Sequence, residues 1–380
     1  MKLRHAFTIA ACHILSLGPA FAAEPIRIGV TTILSGPNAD RGQSEQYGVE
    51  LALQKINEAG GVLGRPVEAF YANNAADPAT GIAAVKRLLE DVHVSVLMGA
   101  LATPVTRAVM PIADAAKVPL IIDISAGQEF VDAAGPGGYD YVFKTSPSDG
   151  DVAKGMMQRL RAENVHSVAI LADDNDFNRA NATAMEQAAA AVGIKVLANE
   201  VVAKGTTDLA PTLETLTSRS PDRLVTLLST SSGAFFHAYE QSGGKIPLAG
   251  RIDFPAALAT LSPQFIASGA FDKTVGISVF TPSSAGAQLQ EFVRAYREKY
   301  GVMPTQRSAF AFEATQLVAD AINRAGSDEP SAIQRALKAS SMNSFLGGNF
   351  KMDEHNHAHT SMQIIGIRSG KAVVLDNVGG

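Results

Sequence analysis

The chain has 380 residues, of which 46% are hydrophobic and 18% are charged, with a formal net charge of −5 and a single cysteine. A mildly acidic chain without a basic run is a poor candidate for binding nucleic acid or anionic membranes. The length predicts two domains rather than one, and the hydrophobic fraction supports a sizeable core in each.

The first 22 residues have the features of a secretory signal peptide. Lys2 and Arg4 give a positive start, a mostly apolar stretch runs from 6 to 17, and Ala-Phe-Ala at 20–22 predicts cleavage after Ala22. The apolar stretch is too short to span a membrane. A lipoprotein box ending at Cys12 is the alternative, and it would leave a very short apolar region.

Cleavage after Ala22 would remove Cys12 and shift the formal charge from −5 to −7, because Lys2 and Arg4 are lost with no acid. The mature chain could then form no disulfide. An exported protein without cysteine fits a bacterial periplasm better than a eukaryotic secretory route, where disulfides are common. We therefore expect a periplasmic protein.

Strand and helix patterns alternate from residue 26 onward. The first half predicts strands at 26–34, 67–72, 94–98 and 120–124, and helices at 43–59, 78–89 and 105–116. These strands are apolar on both faces, which is typical of a parallel sheet covered by helices on each side.

The alternation restarts after residue 145, so that the two halves look like copies of one α/β architecture. The second half predicts helices at 151–163, 179–192, 209–218 and 234–242, and strands at 167–172, 196–202, 223–228, 248–250 and 274–280. The end of the chain differs from both. It predicts helices at 286–300, 307–324 and 331–339, then antiparallel strands at 350–352, 361–368 and 371–375.

The first strand is followed by Ser-Gly-Pro-Asn-Ala-Asp-Arg-Gly at 35–42 and then by a helix, which is the order found in nucleotide-binding loops. The turn lacks the second glycine of a dinucleotide site, and Pro37 removes an N–H that would face a phosphate. The chain has no phosphate loop of the G-x-x-x-x-G-K-[ST] type and no G-x-S-x-G nucleophile turn. We therefore predict a binding protein, not an enzyme, with no cofactor.

Several segments resemble one known family when their order and spacing are taken together. They are IRIGV at 26–30, SGP at 35–37, GVELALQKINEAGGVLGRPV at 48–67, TPVTRAV at 103–109, FKTSPSD at 143–149 and SAFAFEA at 308–314. This pattern resembles the type I periplasmic solute-binding proteins of the leucine/isoleucine/valine-binding family, and the likeness runs the length of the mature chain.

The resemblance implies an α/β fold of two doubly wound parallel-sheet lobes, joined by a three-crossing hinge, with the ligand held in the cleft. Lobe one would comprise 26–144 plus 281–346, and lobe two 145–280 plus 347–380. It also implies a monomer that delivers a small molecule to the permease subunits of an ABC transporter in the inner membrane. The alternative is a receptor of the same fold that senses a ligand and signals to a protein partner.

In a doubly wound sheet, the loops at the carboxyl ends of the strands converge on the crevice, where helix N-termini present N–H groups that suit a carboxylate. The resemblance places ligand contacts in four such loops, at 35–42, 100–106, 124–128 and 173–178. The ligand class stays open between a branched-chain or other amino acid and a small organic or aromatic carboxylate without an amine.

Six residues are carried over from the family's ligand contacts. Arg41 replaces an aromatic contact and would either bind a carboxylate or lie in solvent at the cleft rim. Thr103 offers a hydroxyl at a helix start, where it would also cap the helix. Ser125 and Ala126 stand in place of an Ala-Thr pair. Phe177 replaces a tyrosine, with the core of lobe two as its alternative place. Asp253 is the nearest candidate to bind an α-amino group. It lies one position away from the acidic residue that family members use for this purpose.

The segment His355-Asn356-His357-Ala358-His359 is a candidate metal motif. Three histidines at a spacing of two would share one face of a strand. The chain must reverse near this point, however, and Asp-Glu-His-Asn at 353–356 is typical of a turn between strands. The sequence therefore predicts a turn here and no metal site.

Overall fold

The computed structural model describes residues 24–378. The predicted signal peptide and its cleavage site lie outside these residues. None of the helices in the described part of the chain is long and apolar enough to cross a membrane.

The described residues alternate strands and helices through most of their length. The strands are β1 (Ile26–Thr32), β2 (Val67–Asn73), β3 (Val96–Gly99), β4 (Leu120–Ile122), β5 (Val142–Lys144), β6 (Ser167–Asp173), β7 (Lys195–Val202), β8 (Arg223–Leu227), β9 (Leu248–Gly250), β10 (Val275–Ser278), β11 (Ser341–Asn343), β12 (Asn349–Met352), β13 (Ala358–His359), β14 (Met362–Arg368) and β15 (Lys371–Val378). The helices are α1 (Ala39–Glu58), α2 (Pro78–Glu90), α3 (Thr103–Ala116), α4 (Gln128–Asp132), α5 (Asp149–Ala162), α6 (Asp176–Ala191), α7 (Ala210–Ser218), α8 (Ser232–Gln241), α9 (Phe254–Thr260), α10 (Pro263–Ala267), α11 (Ala287–Tyr300), α12 (Gln306–Ala325) and α13 (Pro330–Lys338).

Two large sheets define two lobes. The first sheet is parallel, with the order β2-β1-β3-β4-β5. In the second, the parallel strands β7-β6-β8-β9-β10 repeat the same order, and the antiparallel hairpin β14–β15 extends the sheet beyond β10. The predicted fold of two doubly wound lobes is therefore confirmed, and its two halves share one strand order.

The buried strands explain why both sheets are covered on each face. Val96, Leu97 and Met98 of β3 have no exposed surface, and neither do Val168, Ala169 and Ile170 of β6. Successive side chains of a strand point to opposite faces, so strands that are apolar at every position need a helical layer on each side.

The chain passes between the lobes at three places: after β5, after β10 and after β13. The third of these crossings differs from the lobe boundary expected between residues 346 and 347. Phe350, Met352 and Ala358 are buried in the core that covers the first sheet, and the backbone N–H of Lys144 in β5 donates to the carbonyl of Asn356 at 2.9 Å. Residues 349–359 therefore belong with lobe one, and the third crossing lies at 360–361.

Helices α1 and α12 pack closely, and this contact yields a test of lobe one. A Cβ atom added at Gly48 in α1 would lie 2.2 Å from the carbonyl oxygen of Ser308 in α12. Because the obstacle is backbone, the Gly48→Ala variant is expected to lose about 1–3 kcal/mol of unfolding free energy, measured by urea denaturation. A Cβ at Gly233 in α8 would meet no atom within 4 Å, so Gly233→Ala is the matched control and is expected to lose nothing. Equal stability of the two variants would contradict the packing described here.

Candidate ligand-binding site

A cavity of about 420 Å³ lies between the two lobes. This volume is in the range of sites that enclose a small organic molecule. The cavity wall comes from residues that follow β1, β3 and β4 in the first sheet and β6, β8, β9 and β10 in the second. These are the carboxyl ends of the parallel strands, where a doubly wound fold is expected to bind its ligand.

Five of the six predicted contacts line this cavity: Arg41, Thr103, Ser125, Ala126 and Phe177. The sixth is placed elsewhere. The exposed carboxylate of Asp253 accepts a hydrogen bond from the backbone N–H of Ala256 at 3.0 Å, and so caps α9. Asp253 is not among the residues that line the cavity.

Four helices direct their N-terminal ends at the cavity. Arg41 lies in the first turn of α1, Thr103 opens α3, Phe177 lies in the first turn of α6, and Arg307 in the first turn of α12. The unpaired N–H groups and the partial positive charge of a helix start favour an anion at each of these points. The helix that opens at Thr103 is preceded by Ala102, so the structure gives Thr103 no capping role.

Arg307 lines the cavity, was not predicted from the sequence, and changes the charge of the site. Its guanidinium is largely buried, and burial followed by the neighbouring charge of Arg41 lowers its pKa. Within residues 24–378, no salt bridge or side-chain hydrogen bond to a carboxylate involves Arg41 or Arg307. Asp40, Asp253 and Glu45 act on Arg307 only through longer-range attraction. Two guanidinium groups therefore share one wall of the cavity without a bonded counter-ion.

Arg251 follows β9 and is the second residue that the sequence analysis did not single out. Its Nη2 atom lies 2.7 Å from Oδ1 of Asp149, a carboxylate whose side chain is only 1% exposed. The guanidinium also sits 5.3 Å from the centre of the Phe177 ring, in a cation–π arrangement. Arg251 is therefore held in place by an acid and an aromatic ring, and Phe177 lies in the cavity wall rather than in the core of lobe two.

Ser125 fixes the loops of lobe one and has no free hydroxyl proton for a ligand. Its Oγ atom lies 2.8 Å from the carbonyl oxygen of Ala100, 2.9 Å from that of Leu101 and 2.8 Å from Oγ1 of Thr106. The carbonyl of Ser125 accepts from Nζ of the buried Lys144 at 2.7 Å. The side chain thus ties the loop after β3 to the loop after β4.

A buried pair of acids lies behind this loop. Burial raises the pKa of Asp123 to about 7. Burial, and then the charge of Asp123, raise the pKa of Glu45 well above its ordinary range, although Thr32 Oγ1 donates to its Oε2 at 2.5 Å. At neutral pH the pair therefore retains a proton that exposed carboxyl groups would have lost.

This pair predicts a pH dependence of stability. An unfolded chain loses the Asp123 proton near pH 4, whereas the folded chain keeps it to about pH 7, so the unfolded state binds fewer protons in between. Stability from this group is present below pH 4 and is lost as the pH rises to 7. The Asp123→Asn variant cannot titrate at this position, so its unfolding free energy is expected to rise relative to that of the wild type by roughly 1–3 kcal/mol as the pH goes from 4 to 8. Urea unfolding across this pH range measures the difference.

The exposed Glu58 at the end of α1 provides the control for the pH experiment. Glu58→Gln is expected to follow the wild-type curve across the same pH range. A stability difference between Asp123→Asn and the wild type that is constant from pH 4 to 8 would show that Asp123 does not titrate as described.

Comparison with known proteins agrees with this geometry. A model of the family described as "Periplasmic binding protein" matches residues 25–372. The chain is 25% identical to a Leu/Ile/Val-binding protein homolog of Brucella abortus, over 97% of this chain and 95% of the relative.

Solved structures show the same fold. One is a branched-chain amino acid transporter substrate binding protein from Streptococcus pneumoniae in complex with isoleucine, with a TM-score of 0.77, 23% identity, and coverage of 94% of this chain and 99% of that one. Another is an ABC transporter solute binding protein from R. palustris in complex with benzoate, with a TM-score of 0.76, 19% identity, and coverage of 93% and 96%. The chain belongs to the periplasmic binding protein family, with leucine/isoleucine/valine-binding homologues among its relatives.

Proposed function

We propose that this chain is the periplasmic solute-binding subunit of an ABC importer, and that its ligand is a small organic or aromatic carboxylate. The lobes would close on the ligand by a hinge motion, and the closed monomer would then dock on the permease subunits in the inner membrane. The chain makes and breaks no bond in this role.

The observation that carries the carboxylate assignment is the pair of guanidinium groups on one wall of the cavity. Arg41 and Arg307 repel each other, and burial makes the repulsion costly unless an anion lies between or beside them. A carboxylate can accept two parallel hydrogen bonds from one arginine, and the four helix N-termini add to the attraction.

The cavity is less suited to the amino group of an amino acid. Its lining contains four basic side chains and one acid, Asp176. The Asp176 side chain is 56% exposed and lies 3.7 Å from Arg107, at the rim between the lobes. Asp253 caps α9 instead of lining the cavity. Proteins of this fold bind isoleucine in one case and benzoate in another, so the fold itself allows both ligand classes.

A thermal-shift screen tests the ligand class. The protein is unfolded and refolded to strip any bound molecule and is then scanned against benzoates, aliphatic carboxylates and branched-chain amino acids. A ligand that binds only the folded state at about 100 times its Kd stabilises it by roughly 2.7 kcal/mol. We expect shifts with acids that lack an amine. Shifts confined to amino acids would refute the carboxylate assignment but leave the importer role intact.

The importer role is tested separately in cells. Deleting the gene is expected to abolish uptake of the ligand found in the screen, and restoring the wild-type gene is expected to rescue it. Unchanged uptake, together with ligand-dependent binding to a sensor protein, would favour the receptor alternative.

A further inference from the structure

A second cluster of polar side chains lies outside the cavity, where two of the three crossings meet. Asp151 is in the first turn of α5, shortly after the first crossing, and His357 and His359 immediately precede the third. One ligand-type atom from each of the three residues lies within 4.8 Å of the other two. Asp151 belongs to lobe two and the histidines to lobe one, so the cluster spans the lobe boundary.

Two ligand-atom distances within the cluster are close to those between the ligands of a bound ion. Nε2 of His357 lies 3.4 Å from Oδ2 of Asp151, and Nδ1 of His359 lies 3.7 Å from Oδ1 of the same carboxylate. Ligand atoms about 2.0–2.2 Å from a tetrahedral Zn²⁺ ion are roughly 3.4 Å apart. The two carboxylate–imidazole distances are within a few tenths of an ångström of that value, and all three ligand atoms lie within 4.8 Å of one another, so side-chain rotation of about 1 Å would bring them around an ion.

Asp353 orients the histidines as a second carboxylate would in a metal site. Its Oδ1 atom accepts the backbone N–H groups of His355 and His357, both at 2.9 Å, and its Oδ2 atom lies 3.0 Å from Nε2 of His359. An ionised carboxylate can only accept, so Nε2 of His359 is the protonated nitrogen. In the neutral ring, Nδ1 then carries the lone pair, and Nδ1 is the atom near Asp151.

The surroundings of His357 also suit a metal ligand. Its side chain is 2% exposed, and its Nε2 atom is the ring nitrogen that lies near Asp151. Nε2 lies 3.3 Å from the carbonyl of Ser146, which also accepts from Nζ of Lys144 at 2.9 Å. A bound ion would take the place of the weak contact with Ser146, and that carbonyl would keep its bond from Lys144.

The charges around the cluster permit a cation. Asp151 and Asp353 face it with two carboxylates, against the amine of Lys144. Lys338 and Lys351 line the surface pocket beside Asp353 and His359, but Lys338 is paired with Asp140 and Glu354 lines the same pocket. We propose that Asp151, His357 and His359 form a binding site for a divalent transition metal, with Zn²⁺ as the best match. Two imidazoles and one carboxylate are ligands that Zn²⁺ commonly takes, and solvent would complete the coordination. The ion would link the two lobes beside two of their three connections.

Equilibrium dialysis against Zn²⁺, followed by metal analysis, tests the site. We expect one Zn²⁺ per wild-type chain and at least a tenfold weaker affinity in His359→Ala, a change at a half-exposed side chain that the fold tolerates. His355→Ala is the matched control, because His355 lies in the same turn but outside the cluster, and it is expected to bind like the wild type. Asp151→Asn, which retains a polar side chain beside Ser148, is expected to weaken binding as His359→Ala does.

Thermal unfolding supplies a second readout. Zn²⁺ is expected to raise the unfolding midpoint of the wild type and of His355→Ala, and to leave that of His359→Ala unchanged. The site would be refuted if the wild type bound no Zn²⁺, if His359→Ala bound it as tightly as the wild type, or if His355→Ala lost it to the same extent. These outcomes do not depend on the identity of the cavity ligand.

Discussion

Replacing Arg307 by alanine is expected to weaken carboxylate binding by about 100-fold or more, which corresponds to roughly 2.7 kcal/mol. The side chain is largely buried in the first turn of α12 and lines the cavity beside Arg41. Removing one member of a buried charge pair between protein and ligand costs about 2–5 kcal/mol, because the other charge is left without its partner. Titration calorimetry with the acid that gives the largest thermal shift measures the change.

Two further variants make this experiment specific. Arg307→Lys keeps the charge but loses the paired N–H groups, so we expect an intermediate loss of affinity. Arg368→Ala removes an exposed arginine at the end of β14, outside the cavity lining, and is expected to bind like the wild type. Wild-type affinity in Arg307→Ala would show that the carboxylate is held elsewhere.

Replacing Asp149 by alanine is expected to lower the unfolding free energy by about 3–5 kcal/mol. The Asp149 side chain is 1% exposed and pairs with Arg251 at 2.7 Å, and the substitution leaves the arginine charge buried without a counter-ion. The chain has no tryptophan, so urea unfolding is best followed by far-ultraviolet circular dichroism.

An exposed pair of the same chemistry provides the control for Asp149. Asp174 pairs with Arg179 at 2.6 Å, and both side chains are about half exposed, so Asp174→Ala is expected to cause no measurable change. Adding Arg251→Met to Asp149→Ala is expected to recover part of the loss, because the unpaired charge is then removed as well. Equal stability of the two aspartate variants would contradict the importance of the buried pair.

The strand and helix order could be predicted because most elements are long enough to show a period. The strand predicted at 248–250 matches β9, and the helix predicted at 78–89 matches α2 to within one residue. The short helices α4, α9 and α10 were not predicted. They have five to seven residues, fewer than two helical turns, so their apolar positions do not repeat enough to be recognised.

The lobe that contains residues 349–359 could not be read from the sequence for a different reason. The sequence shows a short strand, a turn and another short strand, but nothing in that pattern specifies which sheet they join. The buried contacts of Phe350 and Met352 with the core of the first sheet decide it, and these contacts are long-range.

The sequence predicted which loops form the candidate site better than it predicted which side chains line it. The rule that strand ends converge brings the loops of Arg41, Thr103 and Phe177 together. Arg307 was missed because its place depends on α12 packing beside α1, more than 250 positions away in the chain. The placement of Asp253 had a usable signal, since an aspartate two residues before Pro255 is typical of a helix start.

The packing of α1 against α12 has a consequence for when the protein can fold. The hydroxyl groups of Ser44 and Thr305, 261 positions apart, share a hydrogen bond with an Oγ–Oγ1 distance of 2.6 Å, and Gly48 lies against the backbone of Ser308. Until residues 306–325 are available, one apolar face of α1 has nothing to cover it, so lobe one cannot complete its core from its N-terminal half alone. Contacts at such separation form slowly, since the long intervening loop must first be closed. The growing polypeptide therefore cannot complete the core of lobe one until residues 306–325, near its end, have been made.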